Sequence, residues 1–513
     1  MKRILSFLLT LALVFSLCGC ASLTSLTGGS PQKVSPTLPP ARQTGDAPVG
    51  DEGMSYQFYQ PLYLPSRDGQ RLVARQVLLE GERGGSVARS VVLSLLSARE
   101  DEQTLNLGRD ISLQLSGGAT QVETAGDVCT VNLASSALGL DYEDYYRLGL
   151  AVAATLDGVD GIRYVNVLTA DQAVGLDVAG NLPAGTLTAH PGEELSVLWD
   201  QMAMRRTPVG VDAATVSINA TATLYFPLKD TGGFTPETRN LYFSGQTPQV
   251  MAQTLLRALS AGPMYVSGAA ALPDLVSLSM REPDVSEMPD GGRLVTFFFP
   301  GDMAARLRRA GVGWDSFVGA LTYTMTTFIP AVGAVRVYQG ESMVMSLEDS
   351  IYGDPVFENG FLRRRHFASG LRDLADIYLA RDGLLTLAQR AVPAARAFSP
   401  RMPLTLLMAG PLSGEELDAV LPTGLNDHDI LGLSAEGDTL RVNLSARFAQ
   451  RLSAGEVDEQ LACYAMVDTL CEALGLTRVR FYFNGEVVES LGGSLWWGGE
   501  FLYNRALTEE NRG

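Results

Sequence analysis

The sequence predicts an α/β (α+β) protein of three tandem small domains, each a short mixed sheet with two helices. The chain has 513 residues, 46% of them hydrophobic, which is too long for one core and too apolar for a disordered chain. Strand and helix patterns recur along it three times in the same order. Tyr63, Tyr225 and Tyr378 open the three copies and are 162 and 153 residues apart, a near-constant spacing that favours tandem domains.

The copy at residues 375–485 has the clearest pattern. Its apolar run 402–411 has helical character and stops at Gly410-Pro411, and its last strand ends in an Asn484-Gly485 turn. Apolar and polar residues alternate around Val442, which is typical of a strand. The copy therefore predicts a β-α-β-α-β unit with elements at 377–379, 402–411, 439–445, 459–474 and 479–483.

This order of signals resembles the GerMN domain of sporulation and spore-germination proteins. The resemblance rests on Tyr378, Gly410-Pro411, Val442-Asn443-Leu444-Ser445, Thr469-Leu470 and residues 481–485. It implies an α/β fold like the ring-building-motif domains of the channel between mother cell and forespore. It also implies a non-catalytic lipoprotein that acts in sporulation or spore germination.

The first copy repeats two of these signatures, Val131-Asn132-Leu133 and Thr155-Leu156, but has Ala98-Arg99 at the Gly-Pro position. Its predicted elements are 62–64, 86–96, 129–135, 142–156 and 162–167.

The second copy keeps Gly262-Pro263 at the end of its first helix but lacks the Asn-Leu-Ser signature. Its predicted elements are 224–226, 249–259, 294–299, 314–328 and 334–338.

The N-terminus has the order of a bacterial lipoprotein signal. Met1-Lys2-Arg3 is basic, residues 4–17 are apolar but short for a membrane span, and Leu17-Cys18-Gly19-Cys20 fits a lipobox. We therefore expect Cys20 to carry lipid, palmitate included, and to anchor the protein at the extracytoplasmic face of the cell membrane. The alternative is ordinary secretion with an incidental cysteine.

The predicted organisation combines this signal with the three copies. It comprises a signal peptide (1–19), the lipidated Cys20 with a flexible linker rich in Ser, Thr, Pro and Gly (20–53), GerMN-like domain 1 (54–180), a linker (181–214), GerMN-like domain 2 (215–347), a linker or extension (348–370) and GerMN-like domain 3 with a C-terminal extension (371–513). The segment 348–370 and the C-terminal extension are interpreted as extensions that pack on the preceding domain.

Few residues in the chain suggest chemistry. It has three histidines, of which His428 lies among acids in 426–429 without a partner motif for a metal. Asp141, Glu143 and Asp144 begin a predicted helix, where acids stabilise the helix N-terminus, so paired carboxylates for glycoside cleavage are the weaker interpretation. We therefore expect no enzyme activity, no cofactor, no metal and no small-molecule substrate.

Charge and cysteines exclude further classes. The formal net charge of −18, from 39 basic and 57 acidic residues, argues against nucleic-acid binding. Cys463 and Cys471 are eight residues apart on a predicted helix, about 12 Å along its axis and beyond disulfide reach. The basic run 363–366 is interpreted as a solvated turn, with a partner contact as the alternative.

Trp496-Trp497, between two glycine pairs, is the candidate partner contact. The two rings either dock on domain 3 or form a binding patch for a partner or a glycan. The predicted function is a membrane-anchored scaffold or assembly factor whose partners are envelope or sporulation-complex proteins. A regulator of cell-wall hydrolysis and a ligand-binding lipoprotein are the alternatives.

Overall fold

The structure, a computed structural model, describes residues 46–109, 111, 122–159, 161–177, 180–188, 210–229, 231–266, 268–394 and 399–508. These residues belong to one compact unit. The predicted signal peptide, Cys20 and His190 lie outside the described residues. Within the described ranges, no helix has both the length and the apolar character that a membrane crossing needs.

The first repeat follows a short strand, β1 (Gly50–Glu52). It consists of β2 (Ser55–Pro65), β3 (Leu72–Glu82), α1 (Ala88–Ser97), β4 (Val122–Ala125), β5 (Val128–Leu133), α2 (Tyr142–Leu156), β6 (Tyr164–Thr169) and β7 (Gln172–Ala173).

The second repeat has the same order with two additional short helices. It consists of β8 (Ile218–Pro227), β9 (Phe234–Phe243), α3 (Pro248–Ser260), α4 (Leu275–Leu278), β10 (Asp284–Glu287), β11 (Arg293–Phe299), α5 (Met303–Arg309), α6 (Trp314–Phe328), β12 (Val332–Gln339) and β13 (Ser342–Met343).

The third repeat closes the fold. It consists of β14 (Arg372–Arg381), β15 (Leu384–Pro393), α7 (Met402–Ala409), β16 (Ile430–Glu436), β17 (Thr439–Leu444), α8 (Ala446–Leu452), α9 (Glu459–Leu474), β18 (Arg478–Phe483) and β19 (Glu500–Leu502).

Each repeat contains a long antiparallel hairpin and a separate mixed sheet. The hairpins are β2–β3, β8–β9 and β14–β15. The sheets have the orders β4-β5-β6-β7, β10-β11-β12-β13 and β1-β16-β17-β18-β19. Their central pairs, β5–β6, β11–β12 and β17–β18, are parallel, and a parallel pair needs a crossover, which the long helices α2, α6 and α9 provide.

The predicted fold class is confirmed, and the three long helices have their predicted bounds. The predicted β-α-β-α-β order was incomplete, because the strands and the two main helices of each unit follow the order β-β-α-β-β-α-β-β. The missing elements are the second hairpin strands, the strands β4, β10 and β16, and the short last strands β7, β13 and β19. Strand β10 illustrates why the sequence did not predict these strands. It has the sequence Asp-Val-Ser-Glu and mostly exposed side chains, so it has no apolar face to give a period of two.

Local signals fix the helix ends. The Asp141 carboxylate accepts hydrogen bonds from the backbone N–H groups of Glu143 and Asp144 at the start of α2. Asp458 caps α9 in the same way, and Gly475 ends it with a left-handed φ of 63°. The acidic residues around 141–144 are thus accounted for by helix capping.

The buried side chains form two main clusters. Apolar residues of the first two repeats make one continuous cluster between Leu62 and Leu371. The third repeat has its own cluster between Ile377 and Phe501. Independent folding of the three predicted domains stays a prediction.

One backbone hydrogen bond recurs in all three repeats. The N–H of the opening tyrosine donates to a threonine hydroxyl near the end of the long helix, over 2.9 to 3.0 Å. The pairs are Tyr63–Thr155, Tyr225–Thr324 and Tyr378–Thr469. The threonine signature of the first and third copies therefore also exists in the second, where Met325 follows Thr324 in place of leucine.

The asparagine of the Val-Asn-Leu signature holds a turn. Asn443 Oδ1 accepts a 2.9 Å hydrogen bond from the Gly485 N–H, and Asn132 Oδ1 accepts a 3.0 Å bond from the Asp171 N–H. Each turn follows the strand parallel to the one that carries the asparagine. In the second repeat Phe298 occupies this position and stacks on Tyr338, so the signature is absent there.

A buried arginine fixes the chain after the first helix of the second repeat. Arg239 donates to the Gly262 carbonyl over 2.5 Å and pairs with Glu237. The other Glu237 oxygen accepts from the backbone N–H groups of the loop that begins at Met264.

The same arrangement recurs in the other repeats. Arg390 donates to the Gly410 carbonyl over 3.2 Å and pairs with Glu415, whose carboxylate also accepts from the Leu412 N–H. Because the contact uses a backbone carbonyl, it does not require Gly-Pro. The first repeat, without Gly-Pro, has Arg75, Arg99 and Asp101 in the roles of arginine, carbonyl and carboxylate.

Candidate docking surfaces

Trp497 is a core residue of the third repeat. Its side chain is 0% exposed and packs against Phe481, Phe483 and Phe501. Its indole N–H donates a 2.8 Å hydrogen bond to Glu459, at the start of α9. Of the two interpretations, packing on domain 3 therefore describes Trp497. Its ring cannot contact a partner in this conformation.

Trp496 lies on the surface and is 63% exposed. Its ring covers Gly498 and Gly499, where an added Cβ would lie 2.8 and 2.7 Å from ring carbons. The two glycines thus let the ring lie flat on the backbone while its other face remains accessible. This arrangement presents an exposed aromatic group of the kind that anchors protein contacts.

The segment that leads into the first repeat pairs with the third repeat. Residues 20–53 were predicted as a flexible linker, but Gly50–Glu52 form β1, which runs parallel to β16 at the edge of the third sheet. Its partner strand lies some 380 residues further along the chain, as in the pair Gly50 and Gly432. A three-residue strand has no measurable period, so sequence patterns could not indicate it.

Three residues of the third repeat shape this edge for its strand. Gly432 allows the backbone to approach, because a Cβ there would lie 2.6 Å from the Pro48 carbonyl oxygen. Asn443 Nδ2 donates to that same oxygen over 2.9 Å. Arg401 Nε binds both carboxylate oxygens of Asp51, at 2.8 and 3.0 Å, and this contact raises the pKa of Arg401.

Further contacts join the first and third repeats. Asp373 Oδ1 accepts a 2.8 Å hydrogen bond from the Gly126 N–H, and burial raises the pKa of this carboxyl. Arg83 donates to the Gly437 carbonyl over 3.1 Å. Strand β1 therefore belongs to the sheet of the third repeat, whereas β2, the next strand along the chain, belongs to the first repeat.

The basic run 363–366 is not a solvated turn throughout, which corrects that interpretation for Arg364. Its side chain is 4% exposed, forms a 2.6 Å ion pair with Glu123 and donates to Thr327. The guanidinium also lies 3.7 Å from the ring centroid of Tyr323. These contacts link the first repeat, the second repeat and the segment after it.

The polar cluster 426–429 is a structural turn. Asn426 accepts from the His428 N–H, and Asp429 accepts from the Asn426 N–H and from the Ser445 hydroxyl. In the part of the chain that the structure describes, no group of three or more His, Cys, Asp or Glu side chains could hold a metal ion.

The two cysteines of α9 are buried thiols. Cys463 and Cys471 form no disulfide, and burial raises the pKa of Cys471 to about 12. Cys129 is likewise buried in β5. Thiols with raised pKa values have little thiolate at neutral pH, so these side chains are core residues.

Comparison with known proteins identifies the class of domain. Residues 377–489 match the Germane family, described as "Sporulation and spore germination". This match over the third repeat confirms the GerMN resemblance seen in the sequence.

Two solved structures are similar to parts of the chain. The tandem GerMN domains of the sporulation protein GerM from Bacillus subtilis share 16% identity, cover 60% of this chain and 99% of their own, and give a TM-score of 0.22. A putative lipoprotein from Clostridium perfringens shares 18% identity, covers 29% of this chain and 91% of its own, and gives a TM-score of 0.18. No curated protein matches the chain. At these identities and scores the assignment rests on the family match.

Proposed function

We propose that the protein is a lipid-anchored, non-catalytic envelope lipoprotein that acts as a scaffold or assembly factor in sporulation or spore germination. The observation that carries this proposal is the Germane match over residues 377–489. The lipobox at Cys20 supports an anchor at the extracytoplasmic face of the cell membrane. Partners would be envelope or sporulation-complex proteins.

The surface of the third repeat supports a role in protein contacts. Trp496 is exposed on a glycine-rich loop, while Trp497 fixes that loop to the core. The polar groups that sequence motifs singled out are used in capping and turns, as at Asp141 and Asp429. Such an arrangement suits recognition of a partner by a preformed surface.

Co-purification tests the proposal. Tagged full-length protein, isolated with its membrane from sporulating cells, should retain envelope proteins that a Trp496→Ala variant loses. Leu138→Ala is the matched control, because Leu138 is 61% exposed but lies in the first repeat. Equal capture by all three proteins would contradict a role for Trp496, and absence of any envelope partner would contradict the scaffold.

Two further tests address anchoring and catalysis. Cys20→Ala should leave the signal uncleaved by the lipoprotein peptidase and the protein unlipidated, and normal processing of this variant would refute the anchor. Incubation of purified protein with peptidoglycan should release no fragments. Fragment release would instead support the cell-wall hydrolysis alternative.

A further inference from the structure

The edge of the third repeat at β16 accepts a strand from a distant part of the chain. It recognises the segment 48–52 by three different means. Gly432 admits the backbone, Asn443 binds the Pro48 carbonyl, and Arg401 binds the Asp51 carboxylate. Pro48 is buried, whereas the neighbouring Val49 is 63% exposed. The edge therefore fits an extended segment in which a proline, any residue, a glycine and an acidic residue follow one another.

The second repeat differs from the third at this edge. Next to the corresponding edge strand of the second repeat, β10, strand β11 has Phe298 in the place of Asn443, and Arg281 covers the Phe298 ring at 3.4 Å. Its outward residues include Asp284 and Glu287, charges of the kind that protect an edge from pairing. Two edges of the same fold thus differ in whether they accept a strand.

The occupant of the site is a short strand. Only three residues of β1 pair with β16, and the Asp51–Arg401 ion pair is partly exposed. Gly53 follows with a left-handed φ of 65°, and only Met54 separates it from β2, so the turn between the two strands is two residues long. Short elements with few buried contacts open more readily than the fold they belong to.

We propose that β1 is exchanged between copies, so that residues 48–52 of one molecule occupy the β16 edge of a second. Exchange of an identical element preserves the contacts between β1 and β16 and needs movement at Gly53 and Met54, which makes it a low-cost route to association. Copies held close together favour it, because the effective concentration of the neighbour's strand rises. The second copy thereby becomes a partner whose binding segment is already present in this chain.

Cross-linking between two differently tagged full-length chains tests the exchange. One carries Glu52→Cys and the other Ser434→Cys, since these residues are directly paired across β1 and β16. The two chains are produced in the same cell and oxidised in the isolated membrane. A disulfide-linked heterodimer is expected, on the order of tenfold above the background set by collisions. The background is measured with Ser286→Cys, an exposed residue of β10, in place of Ser434→Cys.

Two controls make the result decisive. A single chain with both Glu52→Cys and Ser434→Cys must form an internal disulfide, which shows that the pair can react. Adding Gly432→Val to the Ser434→Cys chain should remove the heterodimer, because the new side chain would occupy the position of the Pro48 carbonyl. Internal disulfide without heterodimer, or heterodimer equal to the Ser286→Cys background, would overturn the exchange. Such a failure leaves the proposed function standing, because the test reads self-association alone.

Discussion

The backbone N–H of Tyr378 donates a 3.0 Å hydrogen bond to the Thr469 hydroxyl, across 91 residues of chain. The bond ties the first hairpin strand of the third repeat to its long helix. Because the first and second repeats contain the same bond at Thr155 and Thr324, the contact is a property of the repeat. It joins the two elements whose packing closes each unit.

Thr469→Val should destabilise the third repeat. Valine keeps the shape of threonine but leaves the buried Tyr378 N–H without an acceptor, which costs about 1–3 kcal/mol. Urea unfolding followed by tryptophan fluorescence should show a lower midpoint, because Trp497 lies in this core. Thr469→Ser retains the hydroxyl and is the control. A midpoint for Thr469→Val equal to that of Thr469→Ser would show that the bond contributes nothing.

Loss of the buried ion pair between Glu123 and Arg364 should lower the free energy of unfolding more than loss of the Thr469 hydroxyl does. Glu123→Gln leaves the Arg364 guanidinium buried without its carboxylate, and breaking such a pair costs about 3–5 kcal/mol. Asp302→Asn is the matched control, because Asp302 pairs with Arg306 on the surface, where an ion pair contributes about 0–1 kcal/mol. Denaturant unfolding compares the free energies of unfolding of the two variants. Similar losses in both variants would refute the assignment of Arg364 to the joint between the first two repeats.

The sequence predicted those features of the fold that depend on neighbouring residues. The bounds of α2, α6 and α9 follow from apolar periodicity and from caps such as Asp141 and Asp458. Asn132 and Asn443 were recognised as a repeated signature, although the turn that each one holds lies about 40 residues away. Their role therefore required the sheet register.

Features that depend on distant residues were not predictable from the same patterns. Strand β1 exists because Gly432 and Asn443 accept it, and the burial of Arg364 depends on Glu123 in another repeat. Of the tryptophan pair, only the aromatic pocket around Trp497 decides which ring is buried. Adjacent residues with the same chemistry carry no local signal that distinguishes them.

His366 should make the stability of the protein depend on pH. Burial, together with the neighbouring Arg365 and Arg363, lowers the pKa of His366 from 6.5 to about 4. Its Nδ1 accepts a hydrogen bond from the Arg363 N–H, which only the neutral ring can do. Between these two pKa values the unfolded chain binds more protons than the folded one, so this contribution is present above pH 6.5 and is lost as pH falls towards 4.

His366→Gln should reduce the difference in thermal midpoint between pH 7 and pH 5, because glutamine does not titrate. Substitution of the exposed His428 by Gln, measured alongside, gives the effect of replacing a histidine on the surface. An unchanged difference in the His366→Gln protein would show that the ring is protonated equally easily in the folded and unfolded chains.

The adjacent residues Trp497 and Trp496 should give opposite results on substitution. Trp497→Ala removes a fully buried ring and its hydrogen bond to Glu459, and large-to-small changes of this kind cost about 3–5 kcal/mol. Trp496→Ala removes an exposed ring and should change stability by no more than about 0.5 kcal/mol.

Differential scanning calorimetry measures the loss of stability in both variants, and capture of envelope partners measures the contact made by Trp496. Because only Trp497 supports the core, Trp496→Ala should weaken capture at an unchanged unfolding temperature. If Trp496→Ala instead lowers the unfolding temperature as much as Trp497→Ala does, its ring supports the loop and any lost capture follows from unfolding.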